Sequence, residues 1–175
     1  MKRFKIIIVV LIGLILNEVI NPSFAFGSEK DKNYLFKIER SRDADVVIYE
    51  ANLKEDGSLN QENPVRVYWE KLTDNGRIEP LTKVQNSLSY GLKFLEANSY
   101  ETEFQLVAFK QSMTLKKNTN GDYKVYVRID NQEMEVERIF IWFSNKSYWF
   151  PKVGRVELYT KTTNTREILA KVITP

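Results

Sequence analysis

Residues 113–143 read MTLKKNTNGDYKVYVRIDNQEMEVERIFIWF, and this stretch decides the fold. Residues 118–122 form a turn cluster, and its Asn120-Gly121 pair tolerates positive φ at both central positions, as a tight hairpin requires. Asp130-Asn131-Gln132 is a second turn. Between the turns Tyr123, Val125, Val127 and Ile129 alternate with Lys124, Tyr126, Arg128 and Asp130, the period of a strand with one buried face. The stretch therefore predicts a three-stranded antiparallel meander.

Outward from it, β-signals separated by turn residues recur over 35–39, 45–53, 65–72, 103–110, 113–117, 123–130, 134–143, 153–160 and 168–173. Val65, Val67 and Trp69 share one face of their strand against Arg66, Tyr68 and Glu70. One segment breaks the β pattern. Over 80–90, Leu81, Val84 and Leu88 fall at helical spacing, with Pro80 tolerated in a first turn and Gly91 as a stop, so one short helix is expected there. No repeat or second domain fits the length. The predicted architecture is an antiparallel β-barrel or sandwich of eight to nine strands with meander connections and one short helix, over residues 34–175.

The N-terminal segment predicts export. Lys2, Arg3 and Lys5 precede an apolar run over residues 6–16, too short for the about 20 residues a membrane helix needs and right for a signal peptide. Asn21-Pro22 breaks that run, and Ser23-Phe24-Ala25 places small residues where a signal peptidase reads. Residues 1–25 are read as the signal peptide, with cleavage before Phe26 or, in an alternative frame, before Ser28. Residues 26–33 are read as a disordered lead. No cysteine follows the apolar run to carry a lipid anchor, and no later stretch could span a membrane. The mature protein is expected in the periplasm or secreted.

Cleavage removes Lys2, Arg3, Lys5 and Glu18, which takes the formal net charge from +3 to +1. That is no basic footprint for a nucleic acid. Without cysteine the domain must hold together by its core alone, and without histidine it lacks the commonest general base, metal ligand and near-neutral switch. Zinc sites of the His/Cys kind are excluded, and so is a Ser-His-Asp triad.

The order of short motifs is informative. Phe36-x-Ile38-x-Arg40-Ser41 is followed by Val47-x-Tyr49-x-Ala51-Asn52, Val67-Tyr68-Trp69, Gly76 and Tyr90-Gly91. Leu106-Val107-Ala108, Glu137-Arg138-Ile139 and Pro151-Lys152-Val153 complete the order, which resembles a bacterial exported family catalogued as domain of unknown function 4833. The resemblance implies a single exported domain and brings no catalytic residue, ligand or cofactor.

No Gly-x-Ser-x-Gly elbow, Ser-x-x-Lys dyad or Gly-x-Gly-x-x-Gly loop is present. Asp43, Asp45, Glu50, Glu70, Glu101 and Glu103 are scattered among aromatics at spacings that specify no glycosidase pair, and Asp43-x-Asp45 lacks the glycine and final glutamate of a calcium loop. Two features say more. By strict period two Arg138 shares a face with Met134, Val136, Phe140 and Trp142, so it reads either as a buried ion pair or as an anion-binding point in an interior pocket. Tyr148-Trp149-Phe150-Pro151 is an aromatic run between strands, either a ligand contact or a lid folded over the core.

Two function classes follow. The first is a non-catalytic module that binds a small apolar or amphiphilic molecule, with Tyr49, Trp69, Arg138, Trp142, Tyr148, Trp149 and Phe150 as candidate ligand-binding residues. The alternative is an envelope structural or interaction protein with a filled core and a protein partner. An enzyme using carboxylates comes third, and no cofactor or metal is expected. The presence of a cavity separates the first class from the second.

Overall fold

The computed structural model describes residues 33–97, 101–145, 147, 151–162 and 168–173. The predicted signal peptide and lead, and Tyr148, Trp149 and Phe150, lie outside the described residues. The chain is mainly β: β1 (Tyr34–Arg40), β2 (Asp43–Ala51), β3 (Val65–Lys71), β4 (Arg77–Pro80), a short helix α1 (Lys83–Leu88), β5 (Leu92–Ala97), β6 (Glu101–Leu106), β7 (Phe109–Lys117), β8 (Tyr123–Ile129), β9 (Gln132–Phe143), β10 (Val153–Thr162) and β11 (Ile168–Ile173). A single 3-10 turn, Leu72–Asp74, follows β3.

The predicted meander is present as β7, β8 and β9, paired in sequence. Its two turns differ in kind from their prediction. The two-residue turn with positive φ at both positions is Asp130-Asn131 (φ 50° and 64°), between the paired residues Ile129 and Gln132. At the other turn only Gly121 has positive φ, and the side chain of Asn118 closes the longer loop by accepting from the amides of Asn120 and Asp122, both at 2.9 Å. Val125 and Val127 are buried, as the alternation requires, but so is Tyr126 on the face expected to be exposed.

β9 organises everything else. Along one edge it pairs with β10. Its other edge is shared: Gln132–Glu135 pairs with β8, and Arg138–Ile141 pairs with β1 in parallel. Two meanders therefore leave β9 side by side, β1-β2-β3-β4 and β8-β7-β6-β5, and the sheet curls into a half-barrel. The sheet is mixed, because the β1–β9 pair joins strands distant in sequence and running the same way. The core lies between the two arms, with Phe36, Tyr49 and Trp69 from one and Phe104, Met113 and Leu115 from the other.

β9 carries a bulge where its edge passes from β8 to β1. Val136 pairs with Thr160 and Arg138 with Tyr159, so Glu137 is the extra residue. A bulge inverts the alternation beyond it. Met134 and Val136 point into the core, and past Glu137 it is Ile139 that is buried, with Ile141 packed against the same cluster. Arg138, Phe140 and Trp142 are thereby turned to the outer face, which corrects the face expected for Arg138.

Two strands escaped the sequence reading. β4 contains Pro80, which an edge strand accommodates, and β5 is the edge of the other arm. The run read as one strand over 103–110 is the end of β6, a turn at Val107-Ala108 and the start of β7. That turn holds none of the usual turn residues; the amide of Val107 donates to the carbonyl of Gly91 at 2.9 Å.

Helix α1 starts one turn later than predicted. Thr82 is its N-cap in a capping box with Gln85, and Pro80 ends β4 instead. Its apolar stripe does not pack inward. Leu81 touches the core, but Val84 and Leu88 are 67% and 68% exposed. Gly91 is needed for close approach, since a Cβ there would lie 1.8 Å from the carbonyl oxygen of Asn86.

Candidate functional site

Beyond the bulge, Ile139, Ile141 and Phe143 line the inside of the half-barrel at the end where the arms part. Val153 and Val156 continue this wall, because they pair with Phe143 and Ile141 across the β9–β10 ladder. Leu106, Phe109 and Tyr90 face them from the other arm. Together they enclose an apolar cleft of about 610 Å³, open to solvent. Its polar groups are Ser89, the Tyr90 ring end, Lys110 and Gln111; Lys110 is the charged residue of the lining, and among the described lining residues there is no carboxylate.

The cleft is held from beneath by aromatic packing. Tyr49 is fully buried, stacks on Phe36 with ring centroids 4.3 Å apart, and donates its hydroxyl to the Tyr90 carbonyl at 2.7 Å. Burial, with Tyr90 nearby, pushes the Tyr49 phenol well above its ordinary pKa, so it remains the donor. Trp69 meets the Tyr90 ring edge to face at 5.3 Å, and its indole N–H donates to Gln85 at 3.2 Å, tying the cap of α1 to β3.

Arg40 and its neighbours fix the opposite wall. The Arg40 guanidinium lies 4.2 Å above Trp69, donates to both Asp43 oxygens at 2.7 Å and reaches the Tyr90 hydroxyl at 3.2 Å. Ser41 donates its amide to the Ile141 carbonyl at 3.0 Å, and its hydroxyl accepts from the Phe143 amide at 3.1 Å. Arg42 covers the Phe143 ring at 4.3 Å and donates to Asn145. This turn splints the end of β9 and so sets the shape of the cleft wall.

The predicted site residues are thus not one constellation. Tyr49 and Trp69 lie under the cleft and position Tyr90 without lining it. Arg138 stands on the outer face, paired with Glu39 and 3.8 Å above the Tyr159 ring, so the expected ion pair exists but is half-exposed rather than buried, and Arg138 is not an interior anion-binding point. Burial alone would raise the Glu39 pKa, but hydrogen bonds and charge from Lys37 and Arg138 outweigh it and hold the carboxyl below its usual range. Trp142 is also on the outer face, 39% exposed beneath Arg155. Tyr148, Trp149 and Phe150 lie outside the described residues.

The lining residues Tyr90, Phe109, Lys110, Ile139, Ile141 and Phe143 are not among the candidate ligand-binding residues read from the sequence. Tyr90-Gly91 was the available signal, since a glycine forced by close approach sits beside the residue that floors the cleft. Among the described residues no group of three acidic side chains could hold a metal ion.

The sequence profile described as Domain of unknown function (DUF4833) matches residues 36–171, from β1 into β11. No curated protein and no solved structure matches the chain.

Proposed function

Because the chain belongs to the DUF4833 family, whose description assigns no activity, we propose from its geometry that it binds a small apolar or amphiphilic molecule without turning it over. The observation that carries this reading is the cleft of about 610 Å³ between the arms, walled by Ile139, Ile141, Phe143 and Phe109. Binding sites for small molecules fall in this size range and combine apolar walls with a few polar groups. A lining with one cation and no described carboxylate favours a neutral or anionic polar end over a cationic one. Among the described lining residues no carboxylate stands beside Ser89 or Tyr90 to activate a hydroxyl, which supports binding over catalysis. The basic, apolar and small-residue order of residues 1–25 supports export, so the ligand is one met in the periplasm or outside the cell.

Native mass spectrometry of the protein recovered from its own envelope tests this. A bound small molecule of mass matched to the cleft is the expected result. A co-purifying protein with an empty cleft would instead favour the interaction-protein reading, and reproducible turnover of a substrate would overturn both.

A further inference from the structure

The mouth of the cleft presents apolar side chains to solvent. Leu88, which lines it, is 68% exposed; Val84 lies one helical turn earlier on the same stripe and is 67% exposed. Val107, in the β6–β7 turn, is 37% exposed and is joined to the end of the α1–β5 connection by its bond to Gly91. The two segments that build this rim have one sign of charge. Residues 81–92 contain Lys83, residues 104–112 contain Lys110, and neither stretch holds an aspartate or glutamate. Lys83 and Lys110 are both exposed.

We propose that this rim docks on an anionic lipid bilayer, with Val84, Leu88 and Val107 entering the headgroup layer while Lys83 and Lys110 meet its negative charge. Exposed apolar residues flanked by lysine match the two attractions that hold a protein at a lipid surface, burial of apolar area and charge on anionic lipid. The patch is a few apolar side chains on a helix and a turn, and it opens directly onto an apolar cleft. Docking there lets an apolar ligand pass between bilayer and cleft without crossing water. That purpose rests on the cleft reading, whereas docking itself does not.

Flotation with vesicles of phosphatidylcholine alone, or mixed with phosphatidylglycerol, tests the proposal beside a titration with a soluble dansyl fatty acid. Wild type and the Val84→Glu/Val107→Glu double variant are expressed with the same N-terminus, so any contribution of residues 1–32 cancels. Neither substituted residue lines the cleft. Wild type is expected to float with the anionic vesicles only, and the double variant to lose at least about tenfold of that binding while keeping its fatty-acid affinity. Lys83→Glu/Lys110→Glu should lose flotation as well, as should wild type in high salt. Failure of wild type to float, equal flotation of the double variant, or a homodimer in sedimentation that Val84→Glu dissociates would each overturn docking. Vesicle binding without fatty-acid binding would leave docking intact and remove the cleft reading instead.

Discussion

The Tyr49 hydroxyl donates to the backbone carbonyl of Tyr90 across 41 positions of sequence, and this bond couples the middle of the core to the floor of the cleft. Tyr49→Phe keeps the ring stacked on Phe36 and leaves that carbonyl without its donor. The expected cost is about 1 to 3 kcal/mol in urea unfolding, the penalty for an unsatisfied buried acceptor. An unchanged midpoint would show that the bond does not hold the floor.

Arg138→Ala should cost little. Its side chain is 34% exposed, and a half-exposed ion pair of this kind contributes about 0 to 1 kcal/mol, with a similar increment from its stacking on Tyr159. A loss above about 3 kcal/mol would mean a buried charge had been stranded, and would contradict the outer-face position.

The contrast between that position and the one expected from alternation marks how far the sequence could be read. Period two is a local rule, and it places Val125 and Val127 on the core face of β8, which pairs with both neighbours without a register shift, although Tyr126 on the other face is buried too. It failed at Glu137, the residue bulged against β10, where the other edge of β9 passes from β8 to β1, a partner about 100 positions away. The meander and the mainly β class were legible for the same reason that the cleft was not. They follow from neighbouring residues, whereas the cleft wall of Ile139, Ile141 and Phe143 is created by a long-range parallel pairing. The exposed stripe of α1 is another such case: the spacing of Val84 and Leu88 predicts a helix but not which side the sheet covers.

Acid should weaken the domain partly through Glu39. Its carboxyl is held below the ordinary range by Lys37 and Arg138, despite partial burial that acts the other way. A depressed folded pKa contributes stability that is present above the unfolded value near about 4.3 and is lost as pH falls through the folded value. The melting midpoint of wild type should therefore fall between about pH 5 and about pH 3 by more than that of Glu39→Gln. Parallel acid profiles would contradict the pairing.

Two glycines should respond differently to alanine. At Gly121 (φ +85°) the added Cβ meets nothing within 4 Å, so the cost is the left-handed backbone alone, about 1 to 2 kcal/mol. At Gly91 it would strike the Asn86 carbonyl, and α1 must move. Thermal unfolding should rank Gly91→Ala as the more destabilised; the reverse order would contradict the close approach.

The most direct measurement of the binding account compares two adjacent residues on opposite faces of β9 in a titration with a fluorescent fatty acid. Ile141 lines the cleft and Trp142 faces outward. Wild type and Trp142→Ala are predicted to bind with the same saturable affinity, and Ile141→Glu to lose about tenfold or more while remaining folded, because it places a carboxylate in an apolar wall. Absence of saturable binding by wild type, or an affinity that Trp142→Ala reduces and Ile141→Glu does not, would contradict it.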